Sequence, residues 1–312
     1  MKPKFTFIAT QIDADEQFFF ARELEFIKTK SYDVKYPGLK YREVLPVSHE
    51  AGEGAETITY RTYDQRGMAK IVSNYANDFP RVDVVGSENT VKVKSLGDSY
   101  GYNVQEIRAA RMAGKPLEQR RANAARKAIM EQENALAMFG NVQAGLVGFL
   151  NHPNIGEYLT PNDGTSSSTT FESKTAEQVL RDLNAVANKI VTDTKGVEIP
   201  DTVLLPLSTF NYLSSKVWSQ YSDQTILEVF KKNNQYIKNV GWLNELETAG
   251  DGLTKRMIAY RRDPDALTLE IPKEFETFPP QERGLDYVIH CHSRIGGVII
   301  YYPLSVCYAD GI

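Results

Sequence analysis

The residues Glu56-Thr57-Ile58-Thr59-Tyr60-Arg61-Thr62-Tyr63 decide how this chain is read. They alternate and are rich in β-branched and aromatic side chains, the composition of a strand. Asp64-Gln65-Arg66-Gly67 follows as a turn signal, and Ala69-Lys70-Ile71-Val72 with the later Thr90-Val91-Lys92-Val93-Lys94 completes an antiparallel pattern. Many of the side chains are polar on both faces. A two-stranded ribbon of that kind is marginal alone in water. It requires a floor, supplied by the rest of the chain or by another molecule.

Toward the N-terminus, Tyr36-Pro37-Gly38 through Leu45-Pro46-Val47 reads as extended and too thin in composition to begin a core. Ahead of it, Glu16 to Lys28 sets Phe20, Leu24 and Ile27 at helical spacing among charges, a short amphipathic helix. Together these read as an arm that lies on something else. The opening Met1-Lys2-Pro3-Lys4-Phe5 has no apolar core of a secretory signal, and acidic residues soon follow, so expression in a cytoplasm is expected.

Toward the C-terminus the period becomes helical. Asn103 caps a short helix carrying Val104 and Ile107 that ends near Gly114. Pro116 suits the first turn of a long helix reaching Phe139, where Gly140 stops it. Leu117, Ala125, Ile129, Leu136 and Phe139 are its candidate buried positions, and Arg120, Arg121, Arg126 and Lys127 its opposite face. Gly145 to Ile155 is apolar and turn-rich. Thr175 caps a further helix with Val179, Leu183, Val186 and Ile190 inward. A strand at Thr202 to Pro206, helices at Ser208 to Trp218 and Thr225 to Asn233, and strands at Tyr236 to Leu246, Arg256 to Arg261 and Ala266 to Ile271 follow. The closing strand run, Leu285 to Ile312, is broken at Gly296-Gly297 and Pro303. The fold class read from this order is α+β.

With 312 residues the chain can form one large domain or two modest ones. Its 42% hydrophobic and 24% charged residues are average for a globular protein, and no apolar run is long enough to span a bilayer. A net charge of −4 argues against a dedicated nucleic-acid binder. Cys291 and Cys307 read as reduced, buried thiols.

The residues offer little chemistry. His290 and His292 share one face of a strand and could bind zinc, but His49 and His152 are distant in sequence. A strand at a sheet or subunit contact is the simpler reading. Nucleophile-elbow, zincin, Walker and dinucleotide motifs are missing. Gly52-Glu53-Gly54 and Gly250-Asp251-Gly252 lack the strand–turn–helix setting of a phosphate loop, and Asp13/Asp15 and Asp263/Asp265 read as solvated turn carboxylates. Acidic neighbours Glu118, Glu131 and Glu133 dilute the arginine face of the long helix, which favours a solvated or inter-subunit face over phosphate contact. No catalytic, cofactor-binding or metal-ligating residue is assigned, and no cofactor.

Several strings, taken in order, resemble the major capsid proteins of tailed phages with the Hong Kong 97-type fold, and most of all their encapsulin-like branch. They are Phe18 to Glu25 (FFFARELE), Gly145 to Pro153, Thr202 to Leu213 (TVLLPLSTFNYL), Pro279-Pro280-Gln281, Arg294-Ile295-Gly296-Gly297-Val298 and the closing Tyr302-Pro303. The resemblance implies an N-terminal arm at 1–48, an extended β-hairpin loop at 49–96 and a peripheral domain at 97–197 with a long spine helix. An axial domain at 198–270, peripheral strands at 271–302 and an axial tail at 303–312 complete it. It further implies a subunit that self-assembles into hexamers and pentamers as the icosahedral head shell of a tailed double-stranded DNA phage. The shell would assemble in the host cytoplasm, enclose DNA without sequence-specific binding, and engage portal, scaffolding and decoration proteins, with no membrane. Only a short arm precedes the loop, so either a separate scaffolding protein is expected or the arm serves in its place. Some members cross-link through a loop lysine. Lys70 lies near the implied tip, but no acceptor or catalytic carboxylate is picked out, and cross-linking is not expected. The alternatives are an encapsulin-type nanocompartment shell and, from another class, a soluble enzyme with an unrecognised site.

Overall fold

The computed structural model describes residues 37–66, 83–114 and 117–312. Chain order begins with a short helix α1 (Tyr41–Val44) and strand β1 (Val47–Ser48), followed by the ribbon strands β2 (Thr57–Arg66) and β3 (Asp83–Lys92). Next come β4 (Lys94–Asn103), α2 (Val104–Ala113) and the long helix α3 (Leu117–Phe139). The small strands β5 (Gly140–Asn141), β6 (Leu146–Val147) and β7 (Gly156–Glu157) lead to α4 (Ala176–Asp193). The unit β8 (Thr202–Pro206), α5 (Leu207–Ser215), α6 (Ile226–Asn233) and β9 (Asn239–Leu243) follows. The remaining strands are β10 (Arg256–Tyr260), β11 (Leu267–Glu270), β12 (Lys273–Thr277), β13 (Gln281–Arg283), β14 (Asp286–Ile295), β15 (Gly297–Ile300) and β16 (Val306–Asp310).

A five-stranded sheet in the order β7-β16-β10-β8-β9 organises the core. Its central strands are buried on both faces, which is why they read as continuous apolar runs. Strand alternation divides them between two clusters. Leu204, Ile258, Tyr260, Val306 and Tyr308 face one cluster with Tyr41, Phe149 and Leu267. Val203, Leu205, Met257, Ala259, Cys307 and Ala309 face the other with Val179, Leu183, Phe230 and Leu213 of the three helices α4, α6 and α5. Thus α4 packs on β10 and β16. A second sheet, β1-β11-β15, closes the first cluster.

A third sheet carries the long helix. β14 pairs antiparallel with β4 over the full register Asp286↔Asn103 to Ile295↔Lys94, flanked by β12 and β13. Helix α3, about 34 Å long at 1.5 Å per residue, sets Ala125 and Ile129 against Cys291 of this sheet. Its last turns enter the main core through Leu136, Ala137 and Met138. One rigid helix therefore joins the outlying sheet to the central one.

Capping was legible. Asn103 and Glu106 form a capping box on α2, with Gly114 in the left-handed conformation at φ 63°. Thr175 with Gln178 and Thr225 with Glu228 do the same for α4 and α6. Other expectations are corrected. Tyr41 to Val44 is helical rather than extended, and Tyr41 and Leu45 are core residues. Tyr41 is held there because its hydroxyl donates to buried Glu133 at 2.7 Å. Asp64 to Arg66 continues β2 instead of turning, and the return strand is β3, ten residues in register from Thr57↔Lys92 to Arg66↔Asp83. The expected return at Ala69 to Val72 and the tip at Lys70 lie outside the described residues, as does the helix expected at Glu16 to Lys28. Phe139 is 39% exposed. The last turn of α3 is buried around Ala137, and Phe139 falls with Gln132 and Ala135 on the open side. The helix expected at Ser208 to Trp218 ends at Ser215, since Val217 bridges Thr225 instead.

Candidate assembly surface

The ribbon has two faces fixed by its register. Ile58, Tyr60 and Thr62 lie on one, with Val91, Asn89 and Ser87 opposite them; Thr59, Arg61 and Tyr63 lie on the other, with Thr90, Glu88 and Gly86 opposite. The first face is rooted on the body. Tyr60 meets Tyr301 edge to face with centroids 5.1 Å apart. A Cβ on Gly296 would lie 3.0 Å from Ile58 Cδ1, so glycine makes room for the root. Ahead of the ribbon, Glu53 accepts from Lys273 Nζ at 2.8 Å, and its carbonyl accepts from Arg294. The second face carries cross-strand pairs of its own, the Thr59–Thr90 hydroxyls at 2.9 Å and Arg61–Glu88 at 2.8 Å.

Beyond the root, apolar side chains of the ribbon are more than half exposed. Tyr63 is 64% exposed, Val84 52% and Val85 54%. Val84 and Val85 are consecutive, so each face of the ribbon presents one of them. The tyrosine ring lies across Gly86, where a Cβ would come within 3.1 Å of it. Sequence reading recognised a polar ribbon but did not single out these three residues. Their signal was a pair of apolar residues beside glycine in an otherwise polar strand.

The expected chemical residues do not converge. His290 and His292 do share a face of β14, but His292 stands 3.7 Å from Glu276 of β12, while His49 Nδ1 donates to the Ile271 carbonyl at 2.7 Å. His152 is packed near Tyr308, and burial lowers its pKa. Among the described residues, three possible metal ligands meet only at Glu157, Asp251 and Asp310. There Arg256 pairs with Asp310 at 2.6 Å and is itself buried beneath the Tyr308 ring, so the corner already holds a cation among its carboxylates. Asp263 of the acidic turn is paired with Arg261 at 2.7 Å. Both cysteines are free and buried. Burial pushes the Cys307 thiol up to about 12.

The basic face of α3 is partly neutralised. Arg121 grips Glu106 through two contacts of 3.0 Å and holds this carboxylate below its usual range. Lys127 lies 3.5 Å from Glu131, and Arg126 lies over Phe275. The site this chain offers is therefore a surface: a projecting ribbon, an exposed helix end, and apolar side chains left in water.

A body with two cores about one sheet, a spine helix leading to an outlying sheet, and a ribbon beyond its own support is the subunit of a larger protein assembly. Residues 67–312 match the family model for major capsid proteins. The chain belongs to the major capsid protein family, a structural family rather than an enzymatic one, whose place is the capsid of the virion. No curated protein matches it. Among solved structures it is similar to the capsid of Myoviridae phage XM1, with TM-score 0.80 and 17% identity over 96% of this chain and 100% of that one. The capsid of the native GTA particle gives TM-score 0.62 at 9% identity, over 97% and 99%. A virus-like particle from Pyrococcus furiosus gives 0.54 at 13% identity, over 86% and 91%. At these identities the likeness establishes the fold, the Hong Kong 97-type capsid fold expected from the sequence.

Proposed function

We propose that this chain is the repeating subunit of the icosahedral head shell of a tailed double-stranded DNA phage, assembled through hexamers and pentamers. The carrying observation is the ribbon, with Tyr63 and Val85 more than half exposed past the Tyr60–Tyr301 joint. Fixing a strand costs about 1–2 kcal/mol per residue in backbone entropy, and a sister copy supplies the surface that offsets it. Contacts that join two different surfaces close into rings, and many weak ones sum through multivalency. The domain boundaries follow those implied by the resemblance, except that α4 travels with the axial sheet on which it packs. Assembly in the host cytoplasm, enclosure of DNA without sequence reading, and contacts with portal, scaffolding and decoration proteins belong to the same proposal.

Negative-stain imaging and sedimentation across a concentration series test it. Closed shells built from rings of five and six are expected above a threshold concentration. A monomer at every concentration, with the ribbon protected from exchange, would overturn it. Small uniform shells loaded with a cellular enzyme would instead favour the nanocompartment reading.

A further inference from the structure

Two surfaces of the described residues carry charges that their own copy leaves unanswered. The first is a trough beside the ribbon. A cavity of about 850 Å³ separates Arg61 to Tyr63 from the body at Val47 and Tyr301. A second, of about 640 Å³ and bounded by Val197 and Leu304, shares Asp265 and Tyr302 with the first, so the two are neighbours. Tyr63 and Tyr302 line the trough with exposed rings, 64% and 53%. Its cations are engaged: Arg61 with Glu88 at 2.8 Å, Arg261 with Glu198 at 3.1 Å and Asp263 at 2.7 Å. The exposed carboxylates Glu50 and Asp265 meet no cation among the described residues. The trough is aromatic and negative.

The second surface is α2. It is capped at both ends, yet none of its ten residues is buried. A helix that short is marginal without packing. Arg108 and Arg111, one turn apart on one face, are exposed and meet no carboxylate among the described residues, since Glu106 is already taken by Arg121. Beside them Met112 is 94% exposed. This surface is positive, with a thioether at its centre.

We infer that the trough of one copy receives α2 of a neighbouring copy, with Arg108 and Arg111 against Glu50 and Asp265 and Met112 against the rings of Tyr63 and Tyr302. The match is one of charge and of chemistry: guanidinium forks suit carboxylates, and a flexible thioether packs well on aromatic rings. A helix with its side chains is about 10–12 Å across, the scale of a cleft of this volume. The two surfaces differ, so the contact has a direction and passes from copy to copy around a ring. The inference rests on the shell reading and adds to it which surfaces meet.

The test uses the full chain in three variants: R108E/R111E, E50K/D265K, and all four substitutions together. Sedimentation and negative-stain imaging would measure the concentration at which shells form, at low and high salt. Each double variant should raise that threshold by about tenfold or more, and the fourfold variant should recover most of the loss. Circular dichroism melting of the subunits should be unchanged, because all four side chains are exposed. Assembly of R108E/R111E at the unaltered threshold would overturn the inference while leaving the shell reading intact. A fourfold variant as defective as R108E/R111E would also overturn it, assigning the arginines to another occupant such as DNA phosphates. Failure of the unaltered chain to associate would remove the shell reading and this contact with it.

Discussion

Replacing Tyr60 with alanine isolates the joint between the ribbon and its own body. The Tyr60 ring meets Tyr301 edge to face at 5.1 Å, and Ile58 beside it rests over Gly296. Such an aromatic pair contributes about 0.5–1.5 kcal/mol beyond its buried area, and a half-buried ring adds about 1 kcal/mol by area. The combined loss, about 2 kcal/mol, is about a thirtyfold change in an equilibrium. It should fall on ribbon detachment rather than on global unfolding, because β2 and β3 form a sheet of their own and contribute to neither large cluster. Hydrogen exchange on the unassembled subunit resolves this. Peptides covering β2 and β3 should exchange about thirtyfold faster, while those of β8, β10 and β16 keep their rates and the melting temperature moves by about 2 °C or less. Equal acceleration in β8 and β10 would refute the reasoning, since ribbon and core would then open as one unit. No acceleration in the ribbon would refute it equally.

Lys174 and Asp182 have side chains with no exposure and stand 2.5 Å apart. Lys174→Met alone should cost about 3 kcal/mol or more in urea unfolding, by leaving a buried carboxylate short of one cation, whereas K174M/D182L should cost less. A smaller loss in the single variant than in the double would contradict this. Acid should destabilise the subunit in two steps. Glu274, held below its usual range by Arg42, Asp163, held there by Arg181, and Asp263, held there by the Asp265 amide and Arg261, stay ionised in the fold. Their contribution is present above the unfolded carboxylate range of about 4 and is lost as pH falls through the lower folded values. Burial depresses His152, so the unfolded state gains a proton first, and stability should begin to fall below about pH 6.5. Melting temperatures that rise on acidification from pH 7 to 5 would count against the histidine step, and ones that hold from pH 5 to 2 would count against the carboxylate step. Neither thiol should react with Ellman's reagent near pH 8 until the chain unfolds, because both are buried and raised; a fast native equivalent would place one at the surface.

Features that depend on near neighbours were legible in the sequence. The caps at Asn103 and Thr175 are each decided within four residues, and the inward stripe of α4 follows from helical period alone. Features decided by distant pairing were not. Ser87-Glu88-Asn89-Thr90 has little strand propensity and becomes a strand because β2 lies beside it. Tyr41 looks like an arm residue until Glu133, far along the chain, accepts a hydrogen bond from its hydroxyl at 2.7 Å. Glu133 in turn was read as surface charge on α3 yet is 1% exposed. The trough was invisible for the same reason. Its lining comes from four segments, around Ser48, Thr62, Asp265 and Tyr302, none of which carries a local motif.

The architecture also restricts how copies can associate. The central sheet is covered on both faces by its own chain, so stacking of sheets between copies is closed off. The edge strand β9 is partly occupied as well, since Lys40 donates to the Trp242 carbonyl at 3.0 Å. Among the described residues, the open pieces away from the cores include the ribbon, α2, and the trough between ribbon and body. The contact inferred between α2 and the trough joins unlike surfaces, which favours rings over a self-complementary twofold dimer as the basic step. Each piece is small and partly charged, and exposed ion pairs contribute only about 0–1 kcal/mol apiece. Two subunits should therefore hold each other weakly, and tight association should appear only when a ring closes and several contacts act at once.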